Sequence, residues 1–143
     1  MQKSEFRFSN PRLVHLNFQL NDSYQKPDGS DKQSALYIDT SINKIQENEA
    51  VVELTVKLGE PVDSYPFFIE LTMRAKFRLE HEIEETNFEN FLEVNAPALL
   101  LSYARPIISS ITSNAGMKPV NLPFLNFSTS SKEKVAEAGQ TSS

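Results

Sequence analysis

Up to Leu79, apolar residues recur at nearly every second position, the period of a strand with one buried and one wet face. Phe6 and Phe8 open a first alternating stretch, interrupted at Asn10-Pro11. Val14, Leu16, Phe18 and Leu20 resume it on one face, opposite His15, Asn17 and Gln19. Pro27-Asp28-Gly29 then supplies a turn, because proline presets φ and glycine tolerates a positive one. A second strand sets Leu36, Ile38, Thr40 and Ile42 on one side. After a turn at Asn48-Glu49, a third carries Ala50, Val52, Leu54, Val56 and Leu58 opposite Val51, Glu53, Thr55 and Lys57, and Gly59-Glu60-Pro61 ends it. The fourth strand is the clearest. Phe67, Ile69, Leu71, Met73, Ala75, Phe77 and Leu79 face a core, while Phe68, Glu70, Thr72, Arg74, Lys76, Arg78 and Glu80 face the other way. Such one-sided strands predict an antiparallel sheet with one face packed and one face in water.

The period then changes. Glu80 to Glu85 is charge-rich, and Asn87 to Leu92 reads as a short helical turn or ordered loop. Asn95 can N-cap a helix whose first turn accommodates Pro97. Leu100, Tyr103/Ala104, Ile107/Ile108 and Ile111 recur at helical steps to about Asn114, with Gly116 as the stop. Pro106 falls inside this pattern and predicts a kink near Ser102–Arg105 rather than two separate helices. Leu122-Pro123-Phe124-Leu125-Asn126-Phe127 is an apolar extended segment. From Ser128 the composition turns to Ser, Thr, Lys, Glu, Gly and Gln, which cannot offset the entropy of ordering. The expected organisation is one domain over residues 1–127 and a disordered polar tail over 128–143.

Composition narrows the chemistry. The 143 residues contain no Cys, which excludes disulfide scaffolds, thiol nucleophiles and cysteine zinc sites. His15 and His81 have no acidic residue at helical spacing beside them, so no metal site is expected; Glu80-His81-Glu82 reads as a charged strand end. Glu84-Glu85 and Glu47/Glu49 read as solubilising turn residues, and Ser102, Ser109, Ser110 and Ser113 have no visible base. There is no glycine-rich phosphate loop. A net charge of −5 argues against a general nucleic-acid binder, and the Arg74, Lys76, Arg78 row is interleaved with Glu70, Glu80 and Glu53. No apolar run is long enough for a signal peptide or a membrane span, so a cytoplasmic protein without cofactors is expected. The 10 Phe and 4 Tyr are more than this chemistry uses. Phe68 lies on the polar face, Phe88 and Phe91 where the chain leaves the sheet, and Phe124 and Phe127 after the helix; together they suggest an apolar groove or an oligomer interface. One helix on four strands cannot bury all its apolar surface, which favours self-association.

The run Asn95-Ala96-Pro97-Ala98-Leu99-Leu100-Leu101-Ser102-Tyr103-Ala104-Arg105, followed by Ile107, Ile108 and Asn121-Leu122-Pro123, resembles the bacterial protein-export chaperone family SecB. That family carries Tyr-Ala-Arg in its long helix, after a proline near the helix start. A Leu-Asn-Leu-x-Pro-Val-Asn-Phe-like stretch follows the helix, and its counterpart here is Val120-Asn121-Leu122-Pro123-Phe124-Leu125-Asn126-Phe127. Val56-Lys57-Leu58-Gly59-Glu60 looks like the third strand and turn of the family. The likeness spans residues 6–127, and Tyr103-Ala104-Arg105 after four alternating strands is its most specific part.

The resemblance implies an α+β fold, a four-stranded antiparallel sheet followed by a long helix packed on it, assembled as a dimer of dimers. It implies an ATP-independent holdase, not an enzyme, that binds unfolded or nascent polypeptides in apolar grooves and passes them to the SecA translocase. Residues expected in the groove are Phe88, Phe91, Leu92, Pro97, Leu122, Phe124 and Phe127. Phe68 and Glu70 are expected on the translocase-docking face, and Leu100, Tyr103, Ile107 and Ile111 on an oligomer-forming helix. The first strand carries His15 and Gln19 where the family docks the translocase through acids, which weakens that expectation. The family's C-terminal helix is missing or shortened, and Pro106 interrupts a helix that typical members keep whole. These departures open an alternative, a dedicated chaperone of one partner such as the antitoxin of a toxin–antitoxin pair. A helix on an antiparallel sheet also suits a hot-dog acyl-thioester hydrolase, but this helix offers only Arg105 as a catalytic group.

Overall fold

The computed structural model describes residues 6–24, 35–61, 65–80, 85–128 and 136–137. Its strands are β1 (Phe6–Phe8), β2 (Arg12–Leu20), β3 (Ala35–Gln46), β4 (Glu49–Gly59), β5 (Phe67–Leu79) and the two-residue β6 (Ala136–Glu137). All pairings are antiparallel. β3, β4 and β5 form a meander in which Leu36 faces Leu58 and Leu58 faces Ile69, so the alternating apolar rows fall on one side. β6 adds two residues beside the start of β3. The expected tail over 128–143 lies largely outside the described residues.

β1 and β2 lie end to end along the other side of β5, pairing with Phe77–Leu79 and with Phe67–Arg74 respectively. They are one edge strand broken at Asn10-Pro11. At the break the Ser9 N–H donates to the Lys76 carbonyl at 2.9 Å, and the Ser9 hydroxyl accepts the Lys76 N–H at 3.0 Å. A side chain thus completes a ladder that the proline interrupts. A bulge between Leu13 and His15 corrects the expected face: Leu13, opposite Met73, joins Leu16, Phe18 and Leu20, and Val14 is left without a cross-strand partner.

The helical region starts earlier than the Asn95 cap predicts. α1 (Glu85–Asn90) runs through a π-turn (Phe91–Asn95) into α2 (Ala96–Asn114). Asn95 has helical φ and ψ and makes no capping bond; the Ala96 N–H reaches back to the Phe91 carbonyl instead. The physical reason is spacing. Phe88, Leu92 and Ala96 repeat at four-residue steps and all bury, so one apolar row continues across the asparagine. α2 passes through Pro106 as a single helix. Pro106 offers no N–H to the carbonyl of Ser102, and both residues are exposed, where water can replace the lost bond.

The C-terminus of α2 follows expectation. Gly116 has φ +85°, its N–H donates to Ser113 and the Met117 N–H to Thr112, the bond pattern of a Schellman stop. α2 packs on β4 and β5. Between them lies a core of Val52, Leu54, Val56, Ile69, Leu71 and Phe77, with Phe88, Leu92, Leu100, Ala104 and Ile108 from the helical side. No described helix is long and apolar enough to cross a membrane.

Candidate functional site

One helix over two central strands leaves the flanks of the apolar sheet face uncovered. On the edge strand, Phe8, Leu13, Leu16 and Leu20 point to the helix side and are exposed, with Phe18 half-buried against Phe67, ring centroids 6.3 Å apart. On the opposite flank Ile42 of β3, across from Val52, is exposed as well, and Ile45 is exposed at the irregularity between Lys44 and Gln46. Among the described residues neither flank is covered. The edge strand thus carries an apolar strip beside α2, the larger of the two uncovered flanks.

The Tyr103-Ala104-Arg105 turn of α2 divides three tasks among three adjacent directions. Ala104 is fully buried, and its small side chain lets the helix lie close on the sheet. Tyr103 points away and is exposed, in a row with half-buried Leu99, Ile107 and Ile111. Arg105 reaches the segment that follows the helix. Its Nε donates to the Leu122 carbonyl at 2.8 Å, and its guanidinium lies 3.9 Å from the centroid of the Phe124 ring. Thr112 holds the start of the same segment. Buried completely, its hydroxyl donates to the Ile108 carbonyl at 2.9 Å and accepts the Val120 N–H at 2.9 Å. Residues 117–127 are therefore a strap tied to α2 at two points and anchored by buried Leu122.

The residues expected in a groove separate by burial. Phe88, Leu92, Pro97 and Leu122 are core residues of the protomer, not surface. Phe88 and Leu92 face the sheet because the helix extends back through them. Pro97 lies one turn before the buried Leu100–Leu101 pair, and Leu122 is the strap's anchor. Phe91 and Phe127 are half-buried, and Phe91 meets Phe77 edge-on at 5.7 Å. Phe124 alone of the expected set stands out, 78% exposed beneath the Arg105 guanidinium.

The other expectations divide likewise. Phe68, assigned to an exposed docking face, is only 8% exposed. It sits where the sheet ends, lining a shallow pocket of about 170 Å³ with Gln19, Leu20, Asn21, Glu60, Pro61 and Phe67. Glu70 is half-buried, its carboxylate 3.9 Å from His15 Nε2. Leu100, expected at an oligomer interface, is fully buried against the sheet, four residues before Ala104 in the same inward row. Sequence reading missed the exposed inward row of the edge strand. Its alternation signals a buried face, and nothing local states that the helix stops short of it.

Comparison with known proteins places these features. The family model described as preprotein translocase subunit SecB matches residues 16–138. An uncharacterized protein of Methanocaldococcus jannaschii is 32% identical over 129 residues, covering 87% of this chain and 81% of its own. The protein-export protein SecB of Rickettsia akari is 32% identical over 107 residues, 73% of this chain and 70% of its own. Among solved structures, the SecB-like chaperone of Mycobacterium tuberculosis, in complex with a ChAD peptide from the HigA1 antitoxin, superposes with a TM-score of 0.66 at 16% identity, covering 85% of this chain and 91% of that one. The antiparallel sheet, the single long helix and the sequence match converge: the chain belongs to the SecB family.

Proposed function

We propose that this protein is an ATP-independent holdase that binds unfolded polypeptides on the helix side of its sheet and works as a dimer of dimers in the cytoplasm. The observation that carries the reading is the exposed inward row Phe8, Leu13, Leu16 and Leu20, in a chain whose family is SecB. Unfolded chains expose apolar side chains, and an uncovered strip takes them with little demand on their order. Phe124 and Phe127 on the strap, and Phe91 at the start of the π-turn, add further apolar surface. Self-association uses the same side through Tyr103, Ile107 and Ile111, so client and partner copies compete for or share it. The net charge of −5 keeps such a surface soluble.

The test is suppression of aggregation of a chemically unfolded client, alongside mass by light scattering. A monomer that leaves aggregation unchanged would refute the proposal. A second reading, a dedicated chaperone of one polypeptide such as an antitoxin, is favoured by the M. tuberculosis likeness and by His15 and Gln19 on the outer edge of the sheet. Protection restricted to a single genomic neighbour, with no binding to SecA, would select it over the export role.

A further inference from the structure

The outer face of the sheet, away from the helix, carries a second surface that the holdase reading does not use. Pairing sets Arg7 opposite Arg78 and Arg12 opposite Arg74. Side chains of directly opposed residues share a face, so two like-charged pairs stand side by side, with Lys76 between them on β5. Like charges opposite one another destabilise a sheet. Only Arg74, Lys76 and Arg78 are visible as a row in the sequence; the edge strand supplies the other two cations.

Three carboxylates answer these five cations. Glu53 binds Arg74 at 2.7 Å, Glu49 lies 3.6 Å from Lys76, and Glu80 lies 3.5 Å from Arg7. Glu49 also stands directly opposite Arg78 on β4, but among the described residues neither Arg12 nor Arg78 forms an ion pair of its own. The acids also lie lower than the bases. The Glu49 side chain is 12% exposed against 52% for Lys76, and Glu80 32% against 76% for Arg7. Among the described residues, this end of the face therefore presents mainly cations to solvent, in a chain that is acidic as a whole.

We infer that the Arg7, Arg12, Arg74, Lys76 and Arg78 surface docks an acidic segment of a partner polypeptide. Alternate residues on β5 are spaced by roughly 7 Å and strands by about 5 Å, so the patch matches a few carboxylates on an extended chain. Arginine pairs carboxylates in a planar fork, which suits short acidic runs. A nucleic-acid backbone fits less well. Its continuous phosphates would run on to Glu70 and Asp39, which share this face farther along the strands.

Fluorescence anisotropy on the full-length protein tests the inference, with a short labelled peptide of alternating Glu and Ser as probe. That peptide has no apolar side chain, so its binding is separate from holdase activity and either can fail alone. The Glu peptide should bind, and its Lys counterpart should not. Affinity should fall as salt screens the charges. Arg12→Glu with Arg78→Glu should weaken binding about tenfold or more, with aggregation suppression unchanged; Arg12→Gln with Arg78→Gln should show a smaller loss and guards against misfolding. Equal binding of both peptides, indifference to the substitutions, or tighter binding of a labelled oligothymidylate would each overturn it.

Discussion

Gly59 closes β4 with φ +79°, and a Cβ there would run into the Phe67 carbonyl oxygen across the turn. Two penalties then act together, a backbone conformation that L residues avoid and a clash with main chain that cannot rotate away. Gly59→Ala should cost about 2 kcal/mol or more, read as a lowered midpoint in urea unfolding. The same substitution at Gly116, which also has positive φ but meets nothing within 4 Å, should cost clearly less. The Gly59-Glu60-Pro61 turn was legible as punctuation, and so was Gly116 as a stop. Which of the two glycines also guards a close approach was not, because that depends on where Phe67 returns.

At the scale of elements, the strap over 117–127 depends on two polar anchors rather than on a regular backbone ladder. Removing Arg105 takes away a charged hydrogen bond to the Leu122 carbonyl and the contact with the Phe124 ring. Arg105→Ala should destabilise by about 1–3 kcal/mol, with faster amide exchange concentrated in residues 120–127. Arg105→Lys should rescue little, since an ammonium cannot both donate in that geometry and stack on a ring. If exchange instead rises evenly along α2, Arg105 serves the helix and not the strap. The long helix was readable from its three- and four-residue steps. Its earlier start was not, since Asn95 looks like a cap until the apolar row Phe88, Leu92, Ala96 is seen to continue through a π-turn.

The whole molecule is a sheet wider than the helix that covers it, and this mismatch sets how it meets other chains. Leu16 and Leu20 lie on the uncovered edge, so Leu16→Ser with Leu20→Ser should alter the protomer's own stability by about 1 kcal/mol or less. The double variant should nevertheless lose mass in light scattering or lose aggregation suppression. A variant unchanged in both would remove this strip from the functional surface. The sequence by itself determined the faces of the central strands, the helix and its stop, and, through Tyr103-Ala104-Arg105 and the segment after it, the family. These are local matters: a period of two or of four and a short motif are properties of neighbouring residues. Tertiary structure decided which apolar residues remain outside. Phe88, Leu92 and Leu122, expected at a surface, are packed inside, while Leu16 and Leu20, patterned for a core, face solvent. It also brought Arg7 and Arg12 beside Arg74 and Arg78. Burial and charge neighbourhood depend on which distant element covers a residue, and the pattern along a strand carries no information about the width of the helix layer above it.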